Sequence, residues 1–414
     1  MRLQLSLIAA LVLVPLVARA DDRVDTTITW FQERRAEAAG DKTTLDVYHP
    51  QFDLGIDLGE SFSLSAGYEA DIVSGATESL YAAPPAGSVD AVSSATLFDD
   101  ARQVGKAGLS FQGRRSRLYA GYAYGFERDY LSHSVSAGAS IDLPGKNTTF
   151  GVAYTHNFDQ VCDLDNGNAS PLERRPLTGA NECFVAAGTM GRTTISHDVA
   201  IDTTEATVTQ NLSPTAVIQL GLNGQVVNGF QSNPYRRVRV GGIDAQEASP
   251  LVRGRLALFA RARLAFPRAH AALGADLRGY SDTWGVDSLT AEMEYFQYLG
   301  GKILFRLRTR LYQQTKAVFF EDAIDYANFG STGAFFTGDR ELSPLRNVLF
   351  GGKMSYLAVA DDAGQVWGLF DEIDFHLRAE GIWAQSLTDT PPDGDVSGPL
   401  PDMIIVSLGL LMRY

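Results

Sequence analysis

The sequence predicts an all-β chain, a transmembrane antiparallel β-barrel of about sixteen strands in a range of roughly fourteen to eighteen. Three observations carry this expectation. Segments with one apolar face at period two recur from end to end, the mark of strands. The connections between them alternate between short and long. The last residues, MIIVSLGLLMRY, keep the alternation up to a terminal aromatic.

The chain opens MRLQLSLIAALVLVPLVARA. Arg2 gives the positive start, Leu5 to Val17 the apolar stretch and Ala18-Arg19-Ala20 a small-residue cleavage site, so residues 1–20 are expected to be a signal peptide and 21–414 the barrel. Losing Arg2 and Arg19 takes the formal charge from -14 to -16. That acidic balance argues against a nucleic-acid partner. No later stretch offers about 20 consecutive apolar residues, so no membrane-spanning helix is expected. Half-polar barrel strands escape that test. A mean hydropathy of -0.07, with 40 Gly, 22 Phe and 16 Tyr, fits a barrel and also a secreted β protein.

The strands follow in order. Residues 24–32 place Val24, Thr26, Ile28 and Trp30 on one face; 45–58 align Phe52, Leu54, Ile56 and Leu58; 61–73 align Phe62, Leu64, Tyr68 and Ile72. Then come 104–112 (Ala107, Leu109, Phe111), 117–127 (Leu118, Tyr122, Tyr124, Phe126), 131–143 (Leu131, Val135, Ile141) and 147–158 (Phe150, Val152, Tyr154, Phe158). A weaker, Thr-rich run covers 196–212. After it come 215–228 (Ile218, Leu220, Leu222), 253–266 (Leu256, Leu258, Leu264), 269–280 (Leu273, Leu277), 287–298 (Leu289, Met293, Tyr295) and 302–314 (Phe305, Leu307, Leu311). The last three are 347–359 (Val348, Phe350, Met354), 370–383 (Ile373, Phe375, Leu377) and 403–414. In the final strand Ile404, Val406, Leu408, Leu410, Met412 and Tyr414 share an apolar face, while Ile405, Ser407, Gly409, Leu411 and Arg413 lie on the other, a mix of small, polar and apolar groups.

The connections LGES, GRRS, LPGK, SPT, FPRA, YLGG and the longer DDAGQVWG fall at every second position, where the inner turns of a barrel belong. Between them lie 74–103, 159–195, 229–252, 315–346 and 384–402, together with RRAEAAGDKTT, RDY and SDTWGV. A soluble sandwich has no reason to keep that parity. Aromatics near strand ends, Tyr48, Tyr124, Phe126, Phe158, Phe266 and Tyr298, suit membrane-interface girdles and equally suit β-propensity. A barrel closes by pairing its last strand with its first, leaving no edge unpaired in lipid. A C-terminal strand ending in an aromatic resembles the assembly signal of bacterial outer-membrane proteins, and Leu408, Leu410, Met412 and Tyr414 match it.

Cys162 and Cys183 bracket a polar stretch, and in an exported chain a disulfide closing that loop is expected. The inward faces carry most of the charge. Lys302, Arg306, Arg308 and Arg310 form a basic ladder; Glu292 and Glu294 on the preceding strand fall near Arg308 and Arg306. Arg253, Arg255, Arg261 and Arg263 form a second ladder, Asp276 and Arg278 lie inward on the next strand, and Asp374, His376, Arg378 and Glu380 alternate inward near the end. Two readings fit: an aqueous pore whose walls screen solutes, or a charge zipper that fills the interior and fixes strand register. The width of about sixteen strands favours a channel unless loops fold in. Loop 315–346 is the candidate constriction, or else a surface loop packed by its own aromatics.

Catalysis leaves little trace. The six histidines are scattered, GxSxG, HExxH and P-loop motifs are lacking, and Ser132 or Ser134 beside His133 makes no site. No cofactor or metal ligand set is expected. The expected partners are outer-membrane lipid, the outer-membrane assembly machinery and small hydrophilic solutes. A plugged barrel serving as a scaffold, assembly or surface-interaction component is the alternative, and a barrel-embedded hydrolase a further one. Nothing marks an oligomer interface.

VDTTITWFQE near the mature start, VDAVSSAT at 89–96, FERDYLSHSVSAG at 126–138, GYSDTWGVDSLT at 279–290 and TGDRELSP at 337–344 resemble stretches of a family of bacterial outer-membrane proteins known only as a domain of unknown function. The resemblance covers most of the mature chain. It implies a porin-like outer-membrane barrel and brings no activity or functional residues with it.

Overall fold

A computed structural model describes residues 22–34, 44–80, 93–127, 130–163, 195–233, 237–240, 243–320, 335–359, 365–367, 369–388 and 399–414. The strands are β1 (Arg23–Arg34), β2 (Thr44–Leu58), β3 (Phe62–Leu80), β4 (Ser93–Gln112), β5 (Ser116–Phe126), β6 (Tyr130–Asp142), β7 (Thr148–Asp163), β8 (Ile195–Ser213) and β9 (Ala216–Gly229). They continue as β10 (Arg237–Val240), β11 (Ile243–Gln246), β12 (Val252–Phe266), β13 (Ala271–Asp282), β14 (Asp287–Leu299), β15 (Ile303–Gln314), β16 (Leu345–Val359), β17 (Glu372–Ser386) and β18 (Met403–Arg413). All but β10 and β11 form one closed antiparallel barrel of sixteen strands, each paired with its neighbours in chain order.

Closure is made by β1 and β18, from Arg23 opposite Arg413 to Glu33 opposite Met403. The ladder ends where the Tyr414 N–H donates to the Asp22 carbonyl at 3.0 Å. Every barrel strand therefore has both edges paired, as a sheet surrounded by hydrocarbon requires. Among the described residues no helix is long and apolar enough to cross a membrane.

Alternation decides the two faces. Leu109, Leu118, Val152, Leu220, Leu258, Leu277, Met293, Leu307, Phe350 and Leu377 are all exposed large hydrophobics on the outer wall. Most charged residues take the other parity and face the lumen, with Asp46 and Asp202 near strand ends among the exceptions. Tyr48, Tyr124, Phe126, Phe158 and Phe266 lie exposed on the outer face as expected. Tyr298 corrects that group: it shares the parity of Glu294 and Phe296, opposite Leu304, on the lumen side. Its outward counterpart is Tyr295, opposite Leu307.

The connection parity holds. One rim carries 59–61, 113–115, 143–147, 214–215, 267–270, 300–302 and the described residues of the β16–β17 connection together with Asp22 and Tyr414; the longer connections join the opposite strand ends. In the turn between β14 and β15 both Gly300 and Gly301 adopt positive φ, 59° and 73°. The connection is the three-residue loop 300–302, and both positive-φ positions are ones that glycine takes without steric cost.

Three differences from the sequence reading have physical reasons. First, β3 and β4 stay paired up to Leu80 opposite Ser93, well into the segment expected to be loop. Ser, Thr and Glu in that extension lose the apolar alternation, yet backbone pairing needs no apolar face. Second, the segment 229–252 contains the hairpin β10–β11, with Val240 opposite Ile243. RVRV-GG-IDAQ carries the signal, alternation either side of a Gly-Gly turn. Third, the lower end of the apolar face of β18 is covered. Met412 and Tyr414, 7% and 8% exposed, pack with Val24 and Ile373. Phe370, from the connection before β17, lies on Tyr414 with ring centroids 4.8 Å apart. Leu408 higher on the strand remains exposed.

The expected signal peptide over 1–20 and the expected Cys162–Cys183 disulfide lie outside the described residues; of Cys162 only the backbone, in β7, is described.

Candidate functional site

The lumen wall is organised by one row of the sheet. Following the pairing from strand to strand, Arg263 of β12 lies opposite Gly274 of β13, Gly274 opposite Glu294 of β14, and Glu294 opposite Arg308 of β15. Arg308 in turn lies opposite Gly351 of β16, and Gly351 opposite Glu380 of β17. Arginine, glycine and glutamate thus occur twice in succession along one girdle.

The glycines let charges meet across an intervening strand. Arg263 reaches past Gly274 to Glu294 at 3.0 Å, and also holds Asp276 at 2.5 Å. A Cβ on Gly274 would sit 2.9 Å from the Arg263 guanidinium carbon. Arg308 reaches past Gly351 to Glu380 at 3.3 Å and pairs with Glu292 at 2.7 Å. A Cβ on Gly351 would lie 2.5 Å from the Ala379 carbonyl oxygen and 2.6 Å from Glu380 Cγ. Arg306 joins the halves, 3.4 Å from Glu294 and 3.8 Å from Glu380. Arg261 adds a longer contact to Asp276 at 3.8 Å. Because partners stand on adjacent or next-adjacent strands, these long side chains run along the wall and not across the lumen.

The ladder residues named from sequence are therefore brought together in part. Arg261, Arg263, Asp276, Glu292, Glu294, Arg306, Arg308 and Glu380 form one connected network; the ion pairs Glu292–Arg308 and Glu294–Arg306 form diagonally, because the register sets Glu292 opposite Arg310 and Glu294 opposite Arg308. Arg310 and Arg278 make no ion pair among the described residues, although Arg278 lies over the Tyr280 ring at 5.5 Å. Arg378 donates from Nε and a terminal nitrogen to Ser407 Oγ at 3.2 and 2.8 Å. The Oδ1 of Asp374 has no hydrogen-bond partner.

A second, smaller set on β2–β4 escaped the sequence reading: His49 with Asp71 at 2.6 Å, Arg102 with Asp71 at 3.8 Å, and Lys106 with Glu69. Its signal was present, since Glu69 and Asp71 share the inward parity that Arg102 and Lys106 take on the next strand.

The facing wall is different in kind. Strand β5 stands eight strands from β15 in the ring of sixteen, and there Gly121 and Ala123 lie opposite Ser136 and Ser134, while Gly108 lies opposite Ser65. A cavity of about 690 Å³ runs along this wall, with Asp53, Lys106, Arg117 and Tyr119 among the residues around it.

At the long-loop mouth the chain folds inward. Gln314 Nε2 donates to the carbonyls of Glu341 and Ser343, each at 2.7 Å. Trp284, Val286, Ala317, Phe320 and Leu342 make a buried cluster there. Thr337 Oγ1 donates to Glu247 Oε2 at 2.7 Å, tying this loop to the one that carries β10 and β11. The described parts of 315–346 are therefore anchored at the mouth on the β12–β15 side.

No catalytic pair forms around His133. Its side chain is on the outer face, where Nδ1 meets the Tyr122 hydroxyl at 2.7 Å. Ser132 and Ser134 take the lumen parity and donate to Asp159 and Asn157 at 2.6 and 3.0 Å. Among the described residues no group of three or more His, Cys, Asp or Glu side chains could hold a metal ion.

Comparison with known structures returns outer-membrane barrels at low identity. One is a bacterial polysaccharide outer membrane secretin, at 10% identity and a TM-score of 0.44, covering 94% of this chain and 98% of that one. Another is OccD3 (OpdP) of Pseudomonas aeruginosa, at 9% identity and 0.44, covering 96% and 92%. A third is the TodX monoaromatic hydrocarbon channel, at 10% and 0.39, covering 98% and 94%. No curated protein matches the sequence. One family model matches residues 4–356, and the chain accordingly belongs to the family described as "Protein of unknown function (DUF3570)".

Proposed function

We propose that the protein is a porin-like channel of a Gram-negative outer membrane, passing small hydrophilic solutes. The exposed apolar outer wall supports the membrane placement, because a contiguous apolar surface of this extent is disfavoured in water. The observation that carries the channel reading is the asymmetry of the lumen. Arg263, Arg306 and Arg308 are tied along one wall, and the wall across from them sets small residues, Gly108, Gly121, Ala123, Ser134 and Ser136, among Asp53, Lys106, Arg117 and Tyr119 around a cavity of about 690 Å³.

In a planar bilayer the refolded protein is expected to give stable current steps. Replacing Arg306, Arg308 and Arg310 together by Gln is expected to shift selectivity toward cations, because three fixed positive charges leave the wall. An unchanged reversal potential in a folded variant refutes the assignment. One observation favours a second reading, a barrel with a filled mouth that serves as a surface or assembly component: the hold of Gln314 on Glu341 and Ser343. Electrical silence from folded protein would select it.

Export through a signal peptide cleaved after Ala20, and a Cys162–Cys183 disulfide, belong to the same proposal. The intact mass of protein purified from outer membranes checks both. It is expected to begin at Asp21 and to rise by two hydrogens on reduction.

A further inference from the structure

Beside the girdle, toward the long-loop mouth, lies a second lumen cavity of about 380 Å³. Its walls include Arg253, Arg255, Arg278, Tyr280, Tyr312 and Gln314, with Glu341 at the rim. The charges there are unequally engaged. Asp282, with its side chain fully shielded, accepts from Arg253 Nε at 2.9 Å, from the Tyr280 hydroxyl at 2.7 Å, and from the backbone N–H groups of Trp284 and Val286 at 2.9 and 3.0 Å. Arg253 is thereby neutralised and clamped, its guanidinium 4.2 Å from the centre of the Trp284 ring.

Arg255 and Arg278 make no ion pair among the described residues, although Arg255 stands opposite Asp282 on the neighbouring strand. Arg255 donates to Gln225 Oε1 at 2.6 Å and also engages the Tyr280 hydroxyl, its Nε shielded from the lumen. Arg278 is exposed, shares the lumen parity of Asp276, and lies over the Tyr280 ring, with no hydrogen bond or ion pair among the described residues. Two guanidiniums outside any ion pair, that of Arg278 open to the lumen, beside two phenol rings in a cavity of small-molecule size, fit an oxyanion attached to a flat apolar body. Guanidinium forks take a carboxylate in two parallel hydrogen bonds, and the tyrosine faces take the ring beside it.

We propose that this cavity is a binding subsite for small organic carboxylates, which the channel selects on their way past the girdle. The proposal deepens the reading of the lumen as a solute passage and depends on it for its purpose, but not for its test.

The test separates binding from conduction. Equilibrium dialysis of the full mature chain in detergent measures retention of radiolabelled benzoate, with its neutral isostere benzamide and inorganic phosphate as competitors. Benzoate is expected to be retained, benzamide not to compete, and phosphate to compete at least tenfold more weakly. Arg278→Gln breaks no ion pair and is expected to fold; it should weaken benzoate retention at least tenfold, and Arg255→Gln likewise. Arg117→Gln, on the far wall, should leave retention unchanged. Retention of benzamide equal to benzoate, phosphate competing as well as benzoate, or equal retention by wild type and Arg278→Gln would each overturn the proposal. Retention without any bilayer current would uphold the subsite and sink the channel reading, and current without retention would do the reverse.

Discussion

Glu380→Gln is expected to cost the barrel about 3 kcal/mol of unfolding free energy. The Glu380 side chain is 2% exposed and lies within 4 Å of both Arg306 and Arg308. Removing one partner of a shielded pair leaves the remaining charge uncompensated, a loss of roughly 3–5 kcal/mol where no other partner exists. Here Arg306 keeps Glu294 and Arg308 keeps Glu292, which places the effect at the lower end. Gly351→Val attacks the same contact by shape. Its Cβ would meet the backbone of Ala379 and Glu380, which no rotamer change relieves, and overpacking of this kind costs about 1–3 kcal/mol. Urea titration of each variant in lipid vesicles, followed by tryptophan fluorescence, reads both. A Glu380→Gln midpoint indistinguishable from wild type would mean that the girdle is solvated by the lumen and contributes no stability.

Deleting Tyr414 is expected to separate packing from assembly. The ring is largely covered, resting on Phe370 in the cluster with Val24, Ile373 and Met412, so its loss should cost about 2 kcal/mol by area burial. The same residue ends the stretch that resembles an outer-membrane assembly signal. Folded barrel recovered from cells is therefore expected to fall at least tenfold, well beyond what the stability loss explains. Phe370→Ala removes the contact and keeps the terminal aromatic, and should lower stability by a similar amount without that fall. Immunoblots of outer-membrane fractions, set beside refolding of the same variants in vesicles, make the comparison. If both variants reduce cellular levels equally, the terminal aromatic acts through packing alone.

Much of this architecture is legible without coordinates because local rules set it. Period-two alternation fixes which side of each strand meets lipid, and a short turn fixes the register of the hairpin it joins. Glu292, Glu294, Arg306 and Arg308 could be brought together from spacing for that reason, since β14 and β15 are sequence neighbours joined by 300–302; the register sets Glu294 opposite Arg308, and the ion pairs Glu292–Arg308 and Glu294–Arg306 run diagonally across it. The connection parity and the closing role of MIIVSLGLLMRY follow from the same logic.

What the sequence could not decide are contacts between residues that share no hairpin. Glu380 meets Arg308 because Gly351, on a strand between them, carries no side chain, and a lone glycine in a strand signals many things. Arg263 meets Glu294 past Gly274 by the same device. The cover that Phe370 gives Tyr414, and the hold of Gln314 on a long loop, depend on how irregular chain returns to the wall, which no periodicity encodes. By itself the sequence determined a barrel, its two faces and its charged lining. Only the tertiary structure decided which charges neutralise one another and which arginines keep donors free, because that depends on distances across strands that the chain order separates.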